Sequence, residues 1–135
     1  MEADAKRFAA SADRFTVYVV RKPWADAANV VKLTVDEGAQ AEIVPESFVR
    51  LRLPPDEHVL RANWSEGQVQ TLVRGAAGEN CVVELAGAAW AWGSRYGFEP
   101  GDEASRDRVL RARMVADIEC HPPPMAEWPE NITIR

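Results

Sequence analysis

The side chains that could do chemistry in this chain are few and scattered. His58 stands after Pro54-Pro55-Asp56-Glu57 and shares an alternating run with Leu60 and Ala62. As a general base it would need a nucleophile or substrate pocket beside it, and no such group is legible nearby. The spacing instead predicts a ring tucked against the core with one nitrogen hydrogen-bonded, and a hydrolase built on His58 and an acidic partner is the weakest functional reading. Glu119-Cys120-His121 has the composition of a metal site. Neighbours on an extended chain point apart, however, and there is no second Cys/His pair to complete a tetrahedron, so no metal or other cofactor is expected. Cys81 alternates with Val83 and Leu85, as a buried, unreactive thiol would. A Cys81–Cys120 bridge is open to the chain in an oxidising compartment.

Aromatic spacing gives the most distinctive local feature. Trp90 and Trp92 flank Ala91, and on an extended chain residues two apart share a face. With Trp64 and Tyr96 they would form a ligand-binding platform able to stack on sugar rings. The competing reading is core packing or cover for an open sheet edge, which the high average burial of tryptophan favours. Arg106, Arg108, Arg111 and Arg113 could be taken for an anion site, but Asp102, Glu103, Asp107 and Asp117 are interspersed with them. Mixed signs at this density predict a solvated face with local ion pairs. The sequons Asn63-Trp64-Ser65 and Asn131-Ile132-Thr133 matter only on a eukaryotic secretory route, to which nothing else in the sequence points.

The elements that must position these groups are mostly strands. The 135 residues suffice for one domain with a continuous core, and 47% apolar with 27% charged residues is a globular composition. Runs with period two or β-branched content cover Phe15–Val20, Val31–Val35, Ala41–Val44, Phe48–Leu53, His58–Trp64, Val69–Val73 and Cys81–Leu85. Asp36-Glu37-Gly38 predicts a hairpin turn with Gly38 in the left-handed position. In Phe48–Leu53, Val49, Leu51 and Leu53 should pack while Arg50 and Arg52 meet water. Residues 86–100, rich in Gly and Trp, read as irregular. Asp102 is placed to cap a short helix to about Val109, and a last strand follows from Arg111 to Glu119. The expected fold is therefore mostly β: an antiparallel β-sandwich of about seven to eight strands, with one short helix near the C-terminal end. The expected organisation is a tail or short helix over 1–13, the sandwich over 14–120 and a Pro-rich arm over 121–135.

Charge and composition also bound the partners. A net charge of -5 argues against nucleic acid, whose binding draws on clustered Lys and Arg. The longest nearly charge-free apolar stretch, Leu85–Trp92, is far too short for a transmembrane segment. Met1–Lys6 lacks the basic start and apolar run of a secretory signal, so the chain is either cytoplasmic or shorn of its signal.

The order of the turns has a counterpart. A strand ending in Arg21, Val35-Asp36-Glu37-Gly38, the run Val49-Arg50-Leu51-Arg52-Leu53-Pro54-Pro55-Asp56-Glu57-His58, a Trp-bearing strand and Ala76-Ala77-Gly78-Glu79-Asn80 together resemble the PEGA-type β-sandwich domains. The similarity is greatest to the PEGA-like domains of small bacterial envelope lipoproteins, and it spans roughly Ala5 to Ile118. Asp56 stands where that family carries Gly in a Pro-Gly-x-His corner, and Cys81-Val82 replaces an aromatic pair. The resemblance implies no catalytic residues. It implies a non-enzymatic structural or protein-interaction module in the bacterial periplasm or envelope, with an envelope protein or a glycan as partner. Such domains sit behind a lipid-modified cysteine that this chain lacks, which would make residues 1–13 the remnant of a tether.

Overall fold

The computed structural model describes residues 2–21, 30–65, 67–90 and 93–120, with the side chains of 88–90 and 93–95 left aside. In chain order the elements are α1 (Glu2–Ala5), β1 (Phe15–Arg21), β2 (Val31–Val35), β3 (Gln40–Ile43), β4 (Ser47–Leu53), β5 (Asp56–Trp64), β6 (Gly67–Gly75), β7 (Asn80–Trp90), β8 (Gly93–Pro100), α2 (Glu103–Arg111) and β9 (Arg113–Glu119). The nine described strands form two sheets, one ordered β8-β7-β1-β4-β9 and the other β3-β2-β5-β6. They face one another as a sandwich. Within the five-stranded sheet, β1–β7 and β4–β9 run parallel, while every pairing in the four-stranded sheet is antiparallel.

The core lies between the sheets. Phe15, Val17, Val19, Val49, Leu51 and Leu53 on one side meet Leu33, Val35, Leu60 and Val73 on the other. Each set alternates along its strand, so the period-two pattern of the sequence is the inner face of the sandwich. The outer face of the four-stranded sheet is wet, as an antiparallel sheet with one polar side requires. There Lys32, Glu42, Glu57, Arg61 and Gln70 alternate with the packed positions.

The outer face of the five-stranded sheet departs from expectation. Every residue of β1 is buried, and so is Arg50 on β4. Residues 2–8 and α2 lie across this face and enclose Ala5, Tyr18, Val20, Phe48, Val109 and Ala112 in a second apolar cluster. Arg50 therefore meets carboxylates instead of water. It forms a two-pronged bond to Asp117, at 3.0 and 2.6 Å, and reaches Asp4 on α1 at 3.2 Å.

The N-terminal segment is tied down along its length. Glu2 accepts the Met114 N–H at 3.0 Å, Lys6 donates to the Leu110 carbonyl at 2.8 Å, and Asn80 donates to the Phe8 carbonyl at 2.7 Å. The Phe8 ring packs 4.7 Å from that of Tyr18 and carries the Arg106 guanidinium on its other contact, 4.9 Å away. Asp102 caps α2 as its position predicted, in a reciprocal box with Ser105. Ser105 and Arg108 both bond the buried Glu84 of β7, which fixes the helix to the sheet.

Of the stretch 86–100, read as irregular, residues 86–90 are the end of β7 and residues 93–100 are β8. They pair from Val83–Pro100 to Trp90–Gly93. Alanine and glycine supply little β propensity of their own, so this strand pair is made by its ladder and by Tyr96 and Phe98 of β8, which pack with Val31, Ala62 and Leu85 in a third apolar cluster.

Candidate functional site

His58 occupies a corner where three special backbone positions meet. Asp36 and Glu37 have φ of +49° and +60°, and the Gly38 N–H bonds the Val35 carbonyl at 2.8 Å, which makes a primed hairpin turn. Gly38, expected in the left-handed position, is not there; the two acidic residues before it are. The reason is the Asp36 carboxylate. One oxygen accepts the Val59 N–H at 2.8 Å and the other lies 2.5 Å from His58 Nδ1, so the turn is latched to β5. Across the ring, Nε2 lies 2.6 Å from the Pro54 carbonyl, closing the corner in which Asp56 has φ of +109°. Both neighbours of the ring are acceptors, and both ring nitrogens are engaged with them. The sequence predicted one such bond. With two, neither nitrogen is turned to a substrate, and the His-carboxylate pair reads as a clamp on two strained turns.

The thiols are equally occupied with packing. Cys81 and Cys120 are both free and both touch the central core. Cys81 pairs with Val17, which pairs with Leu51, which pairs with Ile118. Two strands thus lie between β7, which carries Cys81, and β9, which ends one residue before Cys120. Neighbouring strands are about 4.8 Å apart, so the pair is well beyond the roughly 7 Å that a disulfide can span. The bridge entertained from sequence is not made. Burial, with Glu79 nearby, pushes the Cys81 thiol up to about 11, and burial with Asp36 raises that of Cys120. No cluster of His, Cys, Asp and Glu suited to a metal occurs among the described residues.

Of the proposed aromatic platform, Trp64 and Tyr96 are brought together edge to face, with ring centroids 5.0 Å apart. Tyr96 is buried, and Arg21 both stacks on its ring and donates to its hydroxyl at 3.0 Å. Trp64 is half-buried and borders an open hollow of about 390 Å³ with Val30, Lys32, Glu42 and Asn63. Trp92 and His121 lie outside the described residues, as does the side chain of Trp90, and so does the arm 121–135.

A different feature gathers charge. At the C-terminal end of α2, Arg21, Glu46, Arg108, Arg111 and Ala112 line a hollow of about 190 Å³. It adjoins a shallower one of about 450 Å³ that shares Glu46, Arg111 and Ala112 and adds Glu2, Lys6, Pro45 and Arg113. Glu46 stands at the lip of both with φ of +58°, an outlier for a residue with a Cβ. Its carbonyl accepts the Arg113 N–H at 3.0 Å. Arg108 and Lys6 are ion-paired, to Glu84 and Glu2. Arg111 is exposed and has no hydrogen bond or ion pair among the described residues. The sequence singled out Arg108, Arg111 and Arg113, and the expected ion pairing holds for Arg108. It did not single out Arg21 or Lys6 for this site, which reach the trough from the end of β1 and from the residue after α1, because nothing local marks two positions so far apart as neighbours.

No family model, curated protein or solved structure matches the chain.

Proposed function

We propose that this protein is a non-catalytic interaction module that receives an acidic segment of a protein partner along the trough at the end of α2. The carrying observation is the excess of cations over carboxylates on two adjoining hollows, Lys6, Arg21, Arg108, Arg111 and Arg113 against Glu2 and Glu46, in a chain whose net charge is -5. Such a patch steers an oppositely charged partner and sets its register. The engagement of both His58 nitrogens and the raised thiols support a binding role over catalysis. The resemblance to PEGA-like domains supports a bacterial envelope location for the partner.

Fluorescence anisotropy with a labelled Glu/Asp-rich peptide tests this. Binding should weaken at least tenfold between about 50 and 200 mM salt, and at least tenfold in the double variant Arg111→Glu/Arg113→Glu. Absence of binding, or binding indifferent to that variant, would reject the trough. Cell fractionation tests the location, and recovery in the cytosol would remove the envelope from the proposal.

A second reading has its own observation. The hollow beside Trp64 joins an aromatic ring to Lys32, Glu42 and Asn63, which is the mix of apolar face and hydrogen-bonding groups that sugars require. In this reading Trp64 binds a glycan, together with Trp90 and Trp92. Tryptophan fluorescence that stays constant across a peptidoglycan-fragment panel would dismiss it.

A further inference from the structure

Four strands are at sheet edges, and three of them carry features that discourage pairing with another chain. β3 is four residues long and exposes Glu42. β8 contains Gly97 and ends on Pro100. β9 carries Arg113, Asp117 and Glu119 and shifts register opposite Phe48 and Val49, which leaves Val115 unpaired. Short length, proline, charge and bulges are the usual protections of an exposed edge. β6 is the least protected of the four. Its nine residues, Gly-Gln-Val-Gln-Thr-Leu-Val-Arg-Gly, pair with β5 without a register shift and hold one charge, Arg74.

The direction of its backbone groups follows from the neighbouring ladder. The Asp36 N–H bonds the Val59 carbonyl at 2.9 Å, so Val59 and the residues two apart from it on β5 direct their backbone groups toward β2. His58, Leu60 and Ala62 consequently face β6, where they bond Val73, Thr71 and Val69. The N–H and C=O groups of Gln68, Gln70, Leu72 and Arg74 are left pointing outward from the sheet. Leu72 is also 62% exposed, the largest exposure among the described apolar side chains of its size. Beside this edge, Val73, Cys81, Val83, Phe98 and Pro100 help to line an open hollow of about 310 Å³.

We propose that β6 pairs antiparallel with β6 of a second copy of this chain, about a two-fold axis at Thr71, to form a continuous eight-stranded sheet. That register overlaps all nine residues. It sets Gln68 opposite Arg74 and Gln70 opposite Leu72, so the outward groups meet in about eight backbone hydrogen bonds. No like charges oppose one another, and the two Leu72 side chains become diagonal neighbours on the solvent face. The strand is thus complementary to itself, as a two-fold interface demands. The inference is independent of the basic trough.

Sedimentation equilibrium of the full chain, with amide exchange by NMR, is the test. The expected mass is twice the 15.0 kDa of one chain, with the Gln70 and Leu72 amides exchanging slowly. Leu72→Lys should raise the dimer dissociation constant at least tenfold and speed exchange at both amides. Gln70→Pro should do the same, because the N–H it removes is not used by β5. If the proline variant does not fold, the lysine variant alone decides. Arg111→Glu/Arg113→Glu should leave the mass at the dimer value. A monomer at about 1 mM, where even weak dimers form, would overturn the proposal and leave the edge to a strand from another protein. So would a dimer whose mass and exchange ignore Leu72→Lys.

Discussion

Asp36 shows how one side chain can move a backbone conformation to a residue that would not adopt it alone. Left-handed φ is most easily reached by Gly, which is why Gly38 is the expected site. The two acceptor oxygens of Asp36 reverse that preference by holding the turn against Val59 and His58. Neither partner is near it in sequence, so the preference of the isolated turn was legible and the override was not. The corner at Asp56 is the opposite case. Its φ of +109° is a glycine conformation imposed on a residue with a Cβ, and no side-chain bond of Asp56 offsets it among the described residues. Asp36→Ala should therefore cost about 2 kcal/mol in urea denaturation, through two lost bonds to an ordered turn. Asp56→Gly should raise stability by about 1 kcal/mol in the same measurement, by relieving strain that exceeds the extra chain entropy of glycine.

Among the elements, those with their own periodicity were legible and those made by their neighbours were not. Phe48–Leu53 was readable on its inner face, yet its outer face misled: alternating arginines look solvated until α1 and α2 bring Asp4 and cover over Arg50. The β7–β8 hairpin was missed because its Ala and Gly residues carry no pattern. The trough was half legible, through the arginines of α2 and the first residue of β9, since a single element and its exit turn hold them in sequence. Close approach between elements also fixes some small residues. A Cβ on Gly75, at the end of β6, would meet the Phe15 ring at 2.3 Å. Phe15 is in the centre of the core, so its ring cannot swing aside freely. Gly75→Ala should destabilise by about 1–3 kcal/mol in thermal or chemical denaturation, the usual cost of overpacking. A glycine at 78, where φ is +86° but the added Cβ meets nothing, has only the backbone reason.

At the scale of the molecule, carboxylates hold the helical layer on the sheet. Burial raises Asp117, but the Arg50 bond and the charges of Arg50 and Arg52 outweigh it, and its carboxyl lies below the usual range. The Met114 N–H and Lys6 lower Glu2, and the Ser105 N–H lowers Asp102. Each of these groups binds its proton less readily folded than unfolded. Their contribution is complete above the unfolded value of about 4 and is lost as pH falls through it toward the lower folded values. Urea midpoints should accordingly be level from pH 6 to 7 and decline below about pH 4, with the contacts of residues 2–8 loosening first. Arg50→Met leaves the Asp117 side chain, 3% exposed, without its main partner and should cost about 3 kcal/mol at pH 7.

The place of β1 in its sheet has a bearing on how the protein is made. This first strand is central, with β4 on one side and β7 on the other, and Thr16 pairs with both Arg52 and Asn80. A ribosome delivers Phe15–Val20 long before it delivers Asn80–Leu85. Until then the most apolar strand of the nascent chain has at most one of its two neighbours, and no N-terminal portion can close the sandwich by itself. Folding is thereby deferred until β7 has been made, and a message cut short before β7 would release a fragment with a sticky strand and nowhere to bury it.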